Sequence, residues 1–161
     1  MNPFVPTDFV VPLRVQDLDF TIRPLLISDV VKDYDAVMTS QAHLHGNTFG
    51  PGTKWPQGLS FEDDLIDLGW HHEEFRTRRS FAYTVMAPDE TLCLGCLYIL
   101  PTKLAGFEAE AFCWIRASHT DQLDARLYEV LRRWIDADWP FAKVAYPGRS
   151  LTWDEVARLR V

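Results

Sequence analysis

The chain has 161 residues, of which 47% are hydrophobic and 24% charged, and a formal net charge of −7. That length suits one domain with a substantial core, and the acidic balance argues against nucleic acid or an anionic membrane as the main partner, since both call for a basic face. No stretch is apolar for long enough to span a bilayer, Met1 to Val11 lack the pattern of a secretory leader, and the three cysteines have no framework spacing, so a cytoplasmic protein is expected.

Residues 1–17 hold Pro3, Pro6 and Pro12 among Phe4, Phe9 and Val11, and read as an extended arm laid on the domain. Phe20, Ile22 and Leu25 then alternate as in a first strand. Ser28 reads as the N-cap of a helix in which Val30, Tyr34 and Val37 fall at helical spacing. Residues 40–58 form the longest irregular stretch, because Gly46, Gly50, Pro51, Gly52, Pro56 and Gly58 exclude a regular element. Loops of that length in compact domains are often functional. Ser60 and Asp63 make a capping-box-like start to a helix whose apolar face reads Phe61, Leu65, Leu68, His72 and Phe75. Acidic residues crowd its first turn and Arg76, Arg78 and Arg79 its end, as the helix dipole favours.

The segment SFAYTVMAPDETLCLGCLYILP reads as a β-hairpin turning at Pro88, Asp89 and Glu90. In the next strand, AEAFCWIRA, Glu110, Phe112, Trp114 and Arg116 share one face. A helix follows with Leu123, Leu127, Val130, Leu131 and Trp134 as its apolar stripe, then the short strand FAKVAYPG and a terminal helix capped by Thr152. Residues 1–161 contain no internal repeat or linker and read as a single domain.

Several reactive residues have ordinary structural readings. Cys93 and Cys96 form a C-x-x-C string, but residues three apart on a regular strand point to opposite faces. They therefore read, with Cys113, as small core residues, and no metal site is expected. His43 and His45 lie in the glycine-rich loop without a third ligand, and suit substrate contact or acid–base work better than metal binding. His72 falls on the apolar stripe and reads as a core histidine, with His71 exposed. Phe49 and Trp55 stand out because their loop has no amphipathic face to demand them, and they suit the wall of an acceptor pocket.

The order strand, helix, helix, hairpin, strand, long helix, strand, helix resembles the GNAT family of N-acetyltransferases over roughly residues 19–150. The hairpin is the closest local match, including Gly95 within its second strand. The resemblance implies an α/β fold with a mixed, largely antiparallel central sheet flanked by helices, and acetyl-CoA as co-substrate. It also implies that Trp114, Ile115 and Arg116 lie along the pantetheine arm and that Thr120, Gln122 and Leu123 present helix N-terminal groups to the pyrophosphate. By position, Glu108 and Glu110 at the strand start are the candidates for general base, Glu110 above all, and Tyr146 the acid that protonates the leaving thiolate. The family signature at the helix start is Arg or Gln, two residues, Gly, one residue, then Gly or Ala. Here the stretch is SHTDQLDARL: Ala125 alone matches the last position, both glycines are absent, and Asp121 and Asp124 add negative charge. Two functions follow from the resemblance. One is acetyl transfer from acetyl-CoA to a small amine; the other is a catalytically inactive module of the same fold that binds a ligand or a protein. A homodimer, with the proline-rich arm across its interface, is a further expectation.

Overall fold

The computed structural model describes residues 3–161, so Met1 and Asn2, the tip of the expected arm, lie outside the described residues. Six strands form one sheet in chain order: β1 (Val15–Gln16), β2 (Thr21–Pro24), β3 (Phe81–Met86), β4 (Cys93–Pro101), β5 (Ala109–Ile115) and β6 (Val144–Ala145). All neighbours are antiparallel except β5 and β6, which run parallel. The helices are α1 (Val30–Met38), α2 (Gln41–Leu44), α3 (Phe61–Arg76), α4 (Thr120–Asp138) and α5 (Trp153–Leu159). The sheet is mixed and largely antiparallel, as expected.

Strand alternation divides the core into two layers. Phe81, Tyr83, Val85, Leu97, Ile99, Ala111 and Ile115 face α4, whose stripe Leu123, Leu127, Leu131, Trp134 and Ile135 covers them. Ala82, Met86, Cys96, Tyr98, Phe112 and Trp114 face α1 and α3 and the loop residues Phe49 and Trp55. The arm is part of the first layer: Val5 is buried, Phe4 stacks on Phe81 and Phe141, and the Tyr83 hydroxyl donates to Pro12 O at 2.7 Å.

Local signals held where a side chain bonds its own turn. Ser60 Oγ accepts from Asp63 N while Asp63 Oδ2 accepts from Ser60 N, each at 3.0 Å, and Thr152 and Glu155 repeat that box at α5. Three expectations need correction. Ser28 does not cap α1; it lies in a 3-10 turn, Ile27–Asp29, where Asp29 accepts from Leu26 N at 2.8 Å. The irregular stretch contains α2. The inward face of α3 is Asp64, Leu68, His71 and Phe75, leaving Phe61 and Leu65 43% and 38% exposed. That roll puts His71 against the Tyr98 ring and His72 in solvent, the reverse of the expectation.

Candidate active site

Strands β5 and β6 pair at only two rungs, Ala109 with Val144 and Glu110 with Ala145. Past them β5 runs on to Ile115, while the other chain turns away through Tyr146, Pro147 and Gly148. The parallel pair therefore splays into a wedge. Phe112, Cys113 and Trp114 form one wall and Pro147, Gly148 and Arg149 the other, and His43, Asp124 and Trp153 help close a cavity of about 280 Å³. The turn needs its glycine: Gly148 has φ +75°, and a Cβ there would lie 2.7 Å from the Trp153 ring.

One side chain occupies the wedge. The Arg149 guanidinium meets the Asp124 carboxylate at 2.6 and 2.8 Å and donates to Cys113 O at 3.1 Å. A carbonyl on the open edge of β5 is thus satisfied by an arginine, in the fork geometry that suits a carboxylate. The two side chains are 25% and 28% exposed. Opening the pair therefore costs more than the roughly 0–1 kcal/mol of a fully exposed one, because the fork is bidentate and about three-quarters buried.

At the start of α4, Ala117 N donates to Ser40 Oγ at 2.9 Å, which ties the junction to the end of α1. Thr120 Oγ1 lies 3.2 Å from Ile115 O and 3.1 Å from Arg116 O, and 3.0 Å from His43 Nε2. A hydroxyl has one proton. With that proton on a backbone carbonyl, Nε2–H of His43 donates to Thr120, and Nδ1 keeps its lone pair. In that tautomer His43, which lines the wedge, keeps one ring nitrogen free as an acceptor.

The residues expected to act are distributed differently. Arg116 is buried and turned inward, donating to Cys93 O at 3.1 Å, Asp35 Oδ2 at 3.1 Å and Thr39 Oγ1 at 3.2 Å. Its charge is engaged inside the protein rather than offered to a phosphate. Trp114 lines the wedge and donates from Nε1 to Tyr98 Oη, whereas Ile115 and Leu123 are core residues and Gln122 is exposed. Glu110 sits on the last paired rung, accepting from Thr102 Oγ1 at 3.0 Å. Tyr146 is buried edge-on against Tyr128, with its hydroxyl unbonded to any described residue; burial pushes that phenol far above its ordinary value. Arg149 and Asp124 were not singled out as a pair because they lie on separate elements, 25 residues apart.

A second cavity of about 300 Å³ opens on the same sheet face as Trp114, lined by Phe49, Trp55, Asp67, His71, Tyr98 and Leu100. Phe49 packs on Trp55, Tyr98 and Phe112 with centroids 5.2 to 5.4 Å apart, so it stands between the two cavities. These are the aromatic loop residues that the sequence left without a helix face.

No family model and no curated protein matches this sequence. Solved structures do match in shape. A ribosomal-protein-S5-alanine acetyltransferase from Vibrio fischeri superposes with a TM-score of 0.62 at 14% identity, over 77% of this chain and 67% of that one. A protein of Bordetella pertussis assigned to the GnaT acetyltransferase family gives 0.60 at 11% identity, over 78% and 73%. RimJ of Mycobacterium smegmatis, in complex with CoA-disulfide, gives 0.52 at 23% identity, over 74% of this chain and 56% of its own. With a meander of five strands, a sixth that runs parallel to the fifth and splays from it, and a long helix between those two, the chain has the fold of the GNAT N-acetyltransferases.

Proposed function

We propose that this protein transfers an acyl group, in the first instance acetyl, from a CoA thioester to an amine bound beside the wedge. The observation that carries the proposal is the splay of β5 from β6, which leaves the β5 edge from Ala111 onward without a strand partner. Unpaired edge groups can take the amides of an extended arm such as pantetheine. The RimJ complex with CoA-disulfide supports a CoA species as ligand of this fold. Bound, the thioester would supply an activated acyl group. Arg149 must first leave Cys113 O, so it acts as a gate on the arm's track.

Within the proposal His43 is the base. Its Nε2–H is held by Thr120, and Nδ1 takes the proton that an ammonium must lose before it attacks. Glu110, engaged by Thr102, is the competing candidate. Tyr146 keeps its proton at neutral pH, but its hydroxyl is buried in the core and reaches a departing thiolate only if the side chain turns out toward the wedge. The acceptor lies in the aromatic cavity, where Phe49, Trp55 and Tyr98 offer ring faces to an ammonium and Asp67 a carboxylate. A small amine fits that volume. Since the Vibrio fischeri relative acts on a ribosomal protein, an N-terminal peptide belongs in the same assay panel. A cytoplasmic setting, with its three cysteines kept as thiols, completes the proposal.

A second reading is a GNAT fold without catalysis. Ala117 N spent on Ser40, and Arg149 lying in the wedge, favour it. Thiol release from acetyl-CoA with the amine panel separates the two. Under the first reading His43→Gln lowers kcat by about 100-fold or more while acetyl-CoA binding persists, and Glu110→Gln changes kcat only slightly. Loss with Glu110→Gln and none with His43→Gln would transfer the base role to Glu110.

A further inference from the structure

The C-x-x-C pair converges after all. In β4, Cys93 pairs with Met86 and Gly95 with Val85, so Leu94 is an extra residue in the ladder. This bulge breaks the alternation: Leu94 faces α4, whereas Cys93 and Cys96 both face α1. There they meet Asp33 of α1, and ligand atoms of Asp33, Cys93 and Cys96 all lie within 4.8 Å of one another. Cys96 Sγ donates to Asp33 Oδ1 at 3.2 Å, and Cys93 Sγ to Gly95 O at 3.4 Å.

Asp64 of α3 adds an independent observation. It is 3% exposed on a helix that packs against α1, and its Oδ2 has no hydrogen-bond partner among the described residues. Two thiols and one carboxyl thus converge from β4 and α1, with Asp33 4% exposed and both cysteines at 0%, and the buried Asp64 lies on the adjoining α3.

We infer that Cys93, Cys96 and Asp33 form a binding site for one zinc ion, with the buried Asp64 carboxyl on the adjoining helix turning in as the fourth ligand. Two thiolates with carboxylate oxygens select zinc over magnesium or calcium, which prefer all-oxygen shells. Binding expels the two thiol protons, and the two thiolates match the ion's two positive charges without any redox step; the carboxylates then leave an excess of negative charge, which the neighbouring guanidinium offsets in part. The Arg116 guanidinium, bonded to Cys93 O at 3.1 Å, places a fixed positive charge beside the thiolate end. The ion joins α1, α3 and β4, the elements around the aromatic cavity, and acts as a staple rather than a Lewis acid.

Because the ligands are buried, the full chain is denatured with chelator, refolded with zinc, with magnesium or with neither, and gel-filtered. Metal content, melting temperature and, with cadmium in place of zinc, the ultraviolet thiolate-to-metal absorption are then measured. One zinc per chain is expected, with a melting temperature that climbs as free zinc rises, and a cadmium band of two-thiolate intensity. Cys96→Ser should abolish the band and the retained zinc, Asp33→Asn should weaken binding at least tenfold, and Cys113→Ser should change neither. A folded wild-type chain that holds no zinc and shows no cadmium band overturns the inference. So does zinc retained equally by the Cys93→Ser, Cys96→Ser double variant, which would place the ion elsewhere, for example on His43 and His45.

Discussion

Gly95 has no room for a methyl group. A Cβ at this position would lie 1.9 Å from Trp114 O and 2.9 Å from Trp114 C, backbone atoms that cannot rotate aside. Its lack of a side chain lets β5 approach at the bulge, so Gly95→Ala should lower stability by about 3 kcal/mol or more, read as a shift in urea midpoint at unchanged slope. His71 carries a pH-dependent share of stability. Burial holds its pKa below the ordinary value, with Asp67 and Glu74 offsetting part of the shift. Such a group favours the folded state fully above the unfolded pKa, and that contribution is lost as pH falls through the folded one. Between about pH 7.5 and pH 5.5, wild type should therefore lose more stability than His71→Gln, measured by paired urea titrations. Equal losses would mean that the Tyr98 contact does not desolvate the ring.

Between elements, Arg23 is the main polar connector. From β2 it makes a two-pronged pair with Asp29 in the 3-10 turn at 2.8 Å and also meets Glu90 in the hairpin turn. Asp29 is nearly buried, its side chain 7% exposed, so Arg23→Ala strands a charge there and should cost about 3 kcal/mol by chemical denaturation. An effect below about 1 kcal/mol would show that water reaches Asp29 readily. The legible parts of these elements were those in which local chemistry decides: the Ser60–Asp63 box, the hairpin turn and the α4 stripe. The facing of α3 was not legible. Its apolar residues suggest one stripe, but the helix turns Asp64 inward on the side that packs against α1, and Phe61, Leu65 and Trp70 stay 43%, 38% and 66% exposed. Nor does periodicity announce a bulge; only the glycine in the strand hinted at one.

At the scale of the molecule, element order was enough to anticipate the fold, because each strand lies beside its neighbour in sequence and the one parallel pair, β5–β6, is joined across the sheet by the long helix α4. The site was less legible. Glu110 and Tyr146 were chosen by position along the chain, whereas the wedge is shaped by His43, Asp124 and Arg149, which only the folded loops bring together. No spacing rule links a histidine in the α2 region to a threonine 77 residues later. The wedge as a CoA site, closed by Arg149, is the claim on which the functional reading rests, and calorimetric titration with acetyl-CoA is its most direct test. Wild type is compared with the charge-neutral double variant Arg149→Ala, Asp124→Asn, with ATP as the control ligand. A gate consumes binding free energy when it opens. The double variant should therefore bind acetyl-CoA at least about threefold more tightly than wild type, and ATP should give no heat with either. If both folded proteins show no heat up to millimolar acetyl-CoA, the wedge is not a CoA site, and the non-catalytic reading takes its place.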